Sequence, residues 1–176
     1  MSRYHKLNSA FTTQVKENNA FIAQNLNFAQ QIVSALTAFL ELPAENPGLE
    51  DVEKYLQYLH LDREKGYLAK QELASAVSHF PEGKFQFGVG ILLAAKHENN
   101  PRQLATFAIQ GDRDAELLKI EVFGKTFEFE SIAPDDLDLT AFCAHVYDEL
   151  MNGLAWRISD EVEKTRVGFD VTPLDD

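Results

Sequence analysis

The chain has 176 residues, of which 45% are hydrophobic, and it carries a formal net charge of −12. This length and apolar content suit one folded domain with a substantial core and exclude an intrinsically disordered chain. The acidic balance argues against direct binding to nucleic acid, because a phosphate backbone requires a basic footprint. The single cysteine, Cys143, excludes an internal disulfide and a cysteine-based zinc site.

No apolar stretch is long enough to cross a membrane, and the first residues contain no apolar segment of the kind found in secretory signals. We therefore expect a cytoplasmic protein that does not bind membranes. The charge is uneven, since residues 134–176 hold 11 acidic and 3 basic side chains and thus −8 of the total −12. Such an acidic surface suits either solubility or a basic partner.

The first predicted element is a long helix that is N-capped by Asn8 or Ser9 and ended by Pro43. Apolar residues recur every three or four positions from Ile22 onward, and further apolar side chains widen this stripe. So broad an apolar surface indicates contacts on two sides, with the sheet, with other helices or with a second subunit. We take four of its residues as candidate partner-binding residues: Phe21, Phe28, Ile32 and Phe39.

The length of this helix restricts its arrangement. A single helix from Ser9 to Leu40 is about 48 Å long, whereas a compact domain of this size is roughly 40 Å across. The helix must therefore project from the domain, break near Asn18 and Asn19, or lie against another copy of the chain. Homodimerisation through the N-terminal helix is accordingly one of our hypotheses.

Residues 49–80 are also predicted to be helical. Leu56 and Leu59 share a face at helical spacing, and a further short helix is predicted over residues 71–79. We interpret residues 61–72 as a connection between helices rather than a calcium loop, because Arg63 and Lys65 stand where oxygen ligands belong.

The central stretch, residues 84–130, has the strongest strand pattern. Apolar residues alternate along four short segments, which are separated by turn residues such as Gly111–Asp114 and Gly124–Lys125. Short turns join antiparallel neighbours, so the pattern predicts a four-stranded antiparallel β-meander. Gly88 and Gly90 lie on its less apolar face and indicate close approach by the protein's own helix, a partner or a ligand.

The last quarter of the chain is predicted to be mainly helical. The pattern predicts a long C-terminal helix over residues 134–165, with aspartates at its start that complement the helix dipole. A short edge strand is predicted over residues 166–171 and an acidic tail over residues 172–176. Three acidic residues are also candidates for partner binding: Asp160, Glu161 and Glu163.

The predicted fold class is therefore α+β. Residues 1–176 form a single domain in this interpretation. It consists of N-terminal helices (residues 8–80), the four-stranded antiparallel β-meander (residues 84–130) and the long C-terminal helix.

No group of residues has the spacing of a known catalytic site. His145 and Glu149 lie four residues apart on a predicted helix but have no third ligand. Asp112 and Asp114 flank a predicted turn, where aspartate is favoured for backbone reasons. Cys143 lies on an apolar helix face and is predicted to be inert. We predict no catalytic residue, no cofactor and no metal; enzymatic activity stays open, and a non-enzymatic protein is favoured.

The preferred function is binding to a protein partner, as a dedicated chaperone, adaptor, inhibitor or immunity-type protein. It follows from the lack of a catalytic constellation, the wide apolar helix face and the concentrated negative charge. One alternative is a nucleic-acid-mimicking inhibitor of a DNA-binding protein, in which carboxylates of residues 135–176 imitate phosphates. Another is a small enzyme or ligand-binding domain that uses the Gly88/Gly90 sheet face.

Overall fold

The computed structural model describes residues 2–43, 55–93, 103–114, 117–130 and 137–154, together with the backbone of residues 170–173. The described α-helices are α1 (Arg3–Phe39), α2 (Leu73–Ala76) and α3 (Thr140–Leu154). The described strands are β1 (Leu56–Asp62), β2 (Gly66–Lys70), β3 (Ser78–His79), β4 (Phe85–Leu93), β5 (Gln103–Arg113), β6 (Leu117–Val122), β7 (Lys125–Glu130) and β8 (Asp170–Pro173).

The strands form one antiparallel sheet in the order β2-β1-β4-β5-β6-β7. In addition, β3 pairs with β4 next to β1, and β8 pairs with β5 next to β6. The predicted α+β class is confirmed, and the predicted antiparallel meander is present as β4 to β7. The predicted number of four strands is wrong, because residues 56–79 and 170–173 supply further strands.

The helix predicted around Leu56 and Leu59 is wrong, since both residues belong to β1. Residues three apart in a strand lie on opposite faces, yet both leucines are buried. Leu56 joins the core, while Leu59 lies on the other face, where the Tyr67 ring also packs beside Gly88. In β1 the apolar residues of the two faces break the alternation, and the spacing of three between Leu56 and Leu59 imitates a helix.

Residues 61–72 contain a β-hairpin turn rather than the predicted connection between helices. Asp62 pairs with Gly66, and its Oδ1 accepts hydrogen bonds from the backbone N–H groups of Lys65 and Glu64, both at 2.9 Å. These bonds hold the pKa of the Asp62 carboxyl below its ordinary value, with the bond from Lys65 contributing most. The Asp62 side chain therefore stabilises the turn by accepting hydrogen bonds from the backbone N–H groups of the turn.

Helix α1 is unbroken over 37 residues and is about 55 Å long. It begins before the predicted N-caps, Asn8 and Ser9, because Ser2 is the N-cap and its Oγ accepts a hydrogen bond from the His5 backbone N–H at 3.3 Å. A helix of this length exceeds the roughly 40 Å diameter of a compact domain of this size, so one end projects. Among the described residues, no helix is both long enough and apolar enough to cross a membrane.

The core lies between one face of the sheet and the two longer helices. The C-terminal half of α1 contributes Phe28, Ile32 and Leu36, and α3 contributes Phe142 and Val146. The sheet contributes the side chains that alternate along β4, β5 and β6: Phe85, Phe87, Val89, Ile91, Ala105, Phe107, Ile109, Leu118, Ile120 and Val122. The strict alternation of these strands explains why the meander was predictable from sequence.

Two turns of the meander differ from their predictions by a few residues. The β6–β7 hairpin turns on Phe123 and Gly124, both of which have positive φ (50° and 75°), so Val122 pairs with Lys125. This geometry is that of a type I′ turn, whereas the prediction placed Gly124 and Lys125 at its centre. Strand β5 continues through Gly111 to Arg113, where the prediction had an exit turn.

The C-terminal elements are shorter or shifted relative to their predictions. Helix α3 begins at Thr140 rather than at residue 134, and Asp138 Oδ1 accepts a hydrogen bond from the Thr140 backbone N–H at 3.1 Å. Thr172 and Pro173 form part of β8 and not of an acidic tail. Residues 155–169 and 174–176 lie outside the described residues, and with them the candidates Asp160, Glu161 and Glu163.

Candidate functional site

The N-terminal half of α1 extends beyond the folded domain. Every residue from Arg3 to Ala20 is exposed, and the first buried side chain of the helix is Asn25. We call residues 3–20 the N-terminal arm. At 1.5 Å per residue the arm is about 27 Å long.

Large apolar side chains lie along the N-terminal arm. Tyr4, Leu7 and Phe11 are 69%, 70% and 63% exposed, and Val15 is exposed as well. The first three stand at positions i, i+3 and i+7, so their side chains line one face of the helix. A contiguous exposed stripe of this kind on an otherwise folded protein marks an interaction surface.

The apolar stripe of the arm continues the face of α1 that packs into the core. An α-helix completes five turns in 18 residues, so residues 18 apart lie directly above one another. Three exposed arm residues are each followed 18 positions later by a buried residue of the same helix: Leu7 by Asn25, Phe11 by Ala29, and Val15 by Val33. One face of α1 is thus covered over its C-terminal half and bare over its N-terminal half.

The charge of the arm is opposite to that of the rest of the chain. It contains three basic side chains, Arg3, Lys6 and Lys16, and one acidic side chain, Glu17, which gives a formal charge of +2. Since the whole chain carries −12, the remainder carries −14. The arm is therefore a basic apolar segment attached to a strongly acidic body.

Arg113, at the end of β5, fixes the point where the arm leaves the body. Its guanidinium carbon lies 5.5 Å from the centroid of the Phe21 ring and 5.9 Å from that of Phe28, which are distances for cation–π contact. Burial lowers the pKa of Arg113, but its guanidinium stays charged at any physiological pH. Arg113 thereby stabilises the base of the arm on the sheet.

The structure places the four apolar candidates in different environments. Phe28 and Ile32 are 6% and 0% exposed and belong to the core, whereas Phe21 is half-buried against Arg113. Phe39 is exposed at the opposite end of α1 from the arm. Sequence reasoning missed Tyr4 and Leu7, which lie before the expected N-caps; the 18-residue repeat along α1 is the signal that connects the arm with the core face.

The sheet face opposite the core carries Gly88 and Gly90, which are both buried. The position of a Cβ at Gly88 is 2.9 Å from Leu59 Cβ and from Tyr67 Cδ1, and at Gly90 it is 3.1 Å from atoms of Leu104. The space above these glycines is filled by side chains of β1, β2 and β5 of the sheet itself, and not by the helix of this protein that we expected.

An open groove of about 370 Å³ lies further along the same face. Its floor includes one cross-strand row from β4 to β7, formed by Gln86, Gln110, Glu121 and Thr126. Beside that row, Lys119 Nζ lies 3.2 Å from Glu128 Oε1. Most of the residues that line the groove are polar, with charges of both signs, and Phe80 and Phe85 line it as well.

The residues weighed as metal ligands have structural surroundings. The His145 ring packs against Phe127 and Phe123, with centroid distances of 5.7 Å and 6.3 Å. Asp114 Oδ1 accepts a hydrogen bond from the Leu117 backbone N–H at 2.8 Å, while Asp112 pairs with Lys119 across β5 and β6. Within the described part of the chain, no group of three or more His, Cys, Asp or Glu residues is arranged to hold a metal ion.

Comparison of the chain with protein-family models, with curated proteins and with solved structures finds no match.

Cys143 is expected to be unreactive in the folded protein. It is buried in α3, and burial raises the pKa of its thiol to about 11. At pH 8 its thiolate fraction is then about 100-fold lower than that of an exposed thiol. An aromatic disulfide reagent should therefore label Cys143 about 100-fold more slowly in the native protein than in the protein unfolded by urea. The Cys143 thiol keeps its proton to a higher pH in the folded state than in the unfolded state. The free energy of unfolding should therefore fall as the pH rises from about 9 to 11. Rapid labelling of the native protein at pH 8 would contradict this placement.

Proposed function

We propose that the protein is a non-enzymatic protein-binding protein, of the dedicated chaperone, adaptor, inhibitor or immunity type, and that the N-terminal arm is its contact surface. The observation that carries the proposal is the bare continuation of the core face of α1 along Leu7, Phe11 and Val15. A helix that docks into a groove uses anchors at i, i+3 and i+7, which is the spacing of Tyr4, Leu7 and Phe11.

The arm is suited to binding because it is already ordered. An isolated helix of 18 residues is marginally stable in water, since its nucleation is unfavourable. Here the same helix is fixed to the core by Phe28 and Ile32, and Ser2 caps its start. A partner therefore meets a helix whose ordering it does not have to drive, and preorganisation of this kind favours affinity.

The charge of the arm specifies the chemistry of its partner. Arg3, Lys6 and Lys16 favour a surface that offers an apolar strip with carboxylates beside it. Burial of a large apolar side chain stabilises a contact by about 1.5–3 kcal/mol, so three anchors supply most of the affinity. The basic side chains mainly steer association and add to specificity.

The two alternative functions have less support from the described residues. The nucleic-acid mimic depends on carboxylates of residues 135–176, and residues 135, 136, 155–169 and 174–176 lie outside the described residues. The ligand-binding alternative depends on the Gly88/Gly90 face, where Tyr67, Leu59 and Leu104 occupy the space above the glycines. The polar groove beside it stays a candidate for this second alternative.

The proposal is tested by retention of partners on tagged protein. Replacing both Leu7 and Phe11 by glutamate should abolish retention of a stoichiometric protein partner, because two charges then enter the apolar contact. The purified partner should bind the wild-type protein at least about 100-fold more tightly than this variant. Titration calorimetry of the purified pair measures that ratio.

The matched control is the double substitution Ser9→Glu and Thr13→Glu. It adds the same charge at the same i, i+4 spacing but on the opposite face of the arm, and Ser9 and Thr13 are both exposed. This control should retain the partner. A partner that binds the Leu7→Glu/Phe11→Glu variant as tightly as the wild-type protein would contradict the proposed contact surface.

A further inference from the structure

We infer that the partner of the N-terminal arm is a second copy of this chain, and that the arm lies along α3 of that copy. The inference rests on the proposed function, because it names the occupant of the same surface. It joins the hypotheses of partner binding and homodimerisation, because the protein that the arm binds is then another copy of the same chain.

Helix α3 has a surface that complements the arm. Tyr147, Met151 and Leu154 are 45%, 48% and 47% exposed. They stand at positions i, i+4 and i+7, so they form a second exposed apolar stripe. The arm and α3 thus present matching rows of three apolar anchors each.

The charges of the two helices are opposite. Asp148 and Glu149 are the charged residues of α3, which therefore carries −2, while the arm carries +2. Pairing of two arms would bring positive charge against positive charge, whereas α3 offers the carboxylate of Asp148 beside Tyr147. Glu149 lies on the opposite side of α3 from the apolar stripe. Charge complementarity thus favours α3 over the arm of the second copy as the docking surface.

A reciprocal arrangement supplies enough contact area for a dimer. In a twofold dimer each arm lies on the α3 of the other copy, so the same contact occurs twice. A contact about 22 Å long and 11 Å wide covers roughly 240 Å² on each helix. The four helix surfaces together then remove about 1,000 Å² from water, which is near the lower limit for a specific interface.

The oligomeric state of the full chain tests the inference. Sedimentation equilibrium from about 1 to 100 µM should give a mass near twice 19.9 kDa for the wild-type protein and 19.9 kDa for the Leu7→Glu/Phe11→Glu variant. The Met151→Glu variant should also be monomeric, while the Ser9→Glu/Thr13→Glu and Asn152→Glu controls should remain dimers. All six substituted positions are exposed, so the far-ultraviolet circular dichroism of the four variants should match that of the wild-type protein.

Cross-linking tests the contact itself. Because Cys143 is buried, a cysteine introduced on the surface is the reactive thiol. Mild oxidation of a mixture of the Leu7→Cys and Met151→Cys variants should give a disulfide-linked dimer at least about tenfold faster than oxidation of either variant alone. Faster linkage within the Leu7→Cys variant would show that arms pair with each other and would overturn the assignment to α3.

The outcomes separate this inference from the proposed function. A wild-type mass of 19.9 kDa at every concentration overturns the second copy as partner. If a different purified protein then binds the wild-type chain but does not bind the Leu7→Glu/Phe11→Glu variant, the arm remains the contact surface. If the wild-type protein is a dimer that the arm variant leaves intact, both the inference and the role of the arm in it are overturned.

Discussion

Replacing Gly83 by alanine is expected to lower the free energy of unfolding by about 3 kcal/mol or more. Gly83 has a φ of +89°, a backbone conformation that alanine adopts only with strain. A Cβ at this position would also overlap the carbonyl oxygen of Arg113, and a backbone atom cannot move aside as a flexible side chain does. The substitution therefore combines a backbone penalty with a displacement of the end of β5.

The matched control is Gly124→Ala. Gly124 has a similar φ of +75°, but a Cβ there meets no atom within 4 Å. This variant should lose only about 1 kcal/mol. Urea denaturation of both variants measures the difference, and equal losses would contradict the steric argument. Because Arg113 also holds Phe21 and Phe28 at the base of the arm, the Gly83 variant should weaken arm-dependent binding as well.

The meander was predictable from sequence because the large apolar side chains of its core face recur at every second position. Phe85, Phe87 and Val89 alternate with residues of the opposite face, and a period of two has one interpretation. Strand β1 was not predictable in this way, since Leu56 and Leu59 are buried on opposite faces and imitate a helical spacing. Burial on both faces does not decide this by itself, because β4 is also buried on both faces. A strand is predictable from sequence where the large side chains of one face keep a period of two.

The candidate site shows a second limit of sequence reasoning. The length of α1 predicted that it projects, breaks or pairs with another copy, and the structure has an unbroken projecting helix. The sequence does not indicate which part of α1 packs on the sheet. Phe11 and Phe28 are apolar residues of the same helix, yet one is exposed and the other is buried. Their difference depends on the position of the sheet along α1, which is a tertiary property.

The division of charge between arm and body bears on how the protein finds its partner. A chain with −14 outside the arm and +2 on it repels other copies at long range but orients them so that an arm approaches an acidic surface. Opposed fields of this kind act on association rates and are screened at an ionic strength of about 0.15 M beyond roughly 8 Å. The apolar stripe acts at contact and is much less sensitive to salt. We expect dimerisation to persist at high salt.

Replacing Asn25 by leucine is expected to raise the free energy of unfolding by about 1–3 kcal/mol. Asn25 is fully buried within α1, and neither Oδ1 nor Nδ2 of its side chain has a hydrogen-bond partner among the described residues. Its amide therefore loses hydration on folding without gaining a bond in return. Leucine has the same number of side-chain heavy atoms and the same branching, and it has the higher helix propensity.

The control for this substitution is Asn27→Leu, at an exposed position two residues further along α1. It makes the same chemical change without changing a buried site, so the free energy of unfolding should change by less than about 0.5 kcal/mol. Chemical denaturation of both variants separates removal of the buried amide from the gain in helix propensity. Because Asn25 is 0% exposed, the stabilised variant should keep the oligomeric state of the wild-type protein. A loss of stability in Asn25→Leu would show that the amide has a partner that leucine cannot replace.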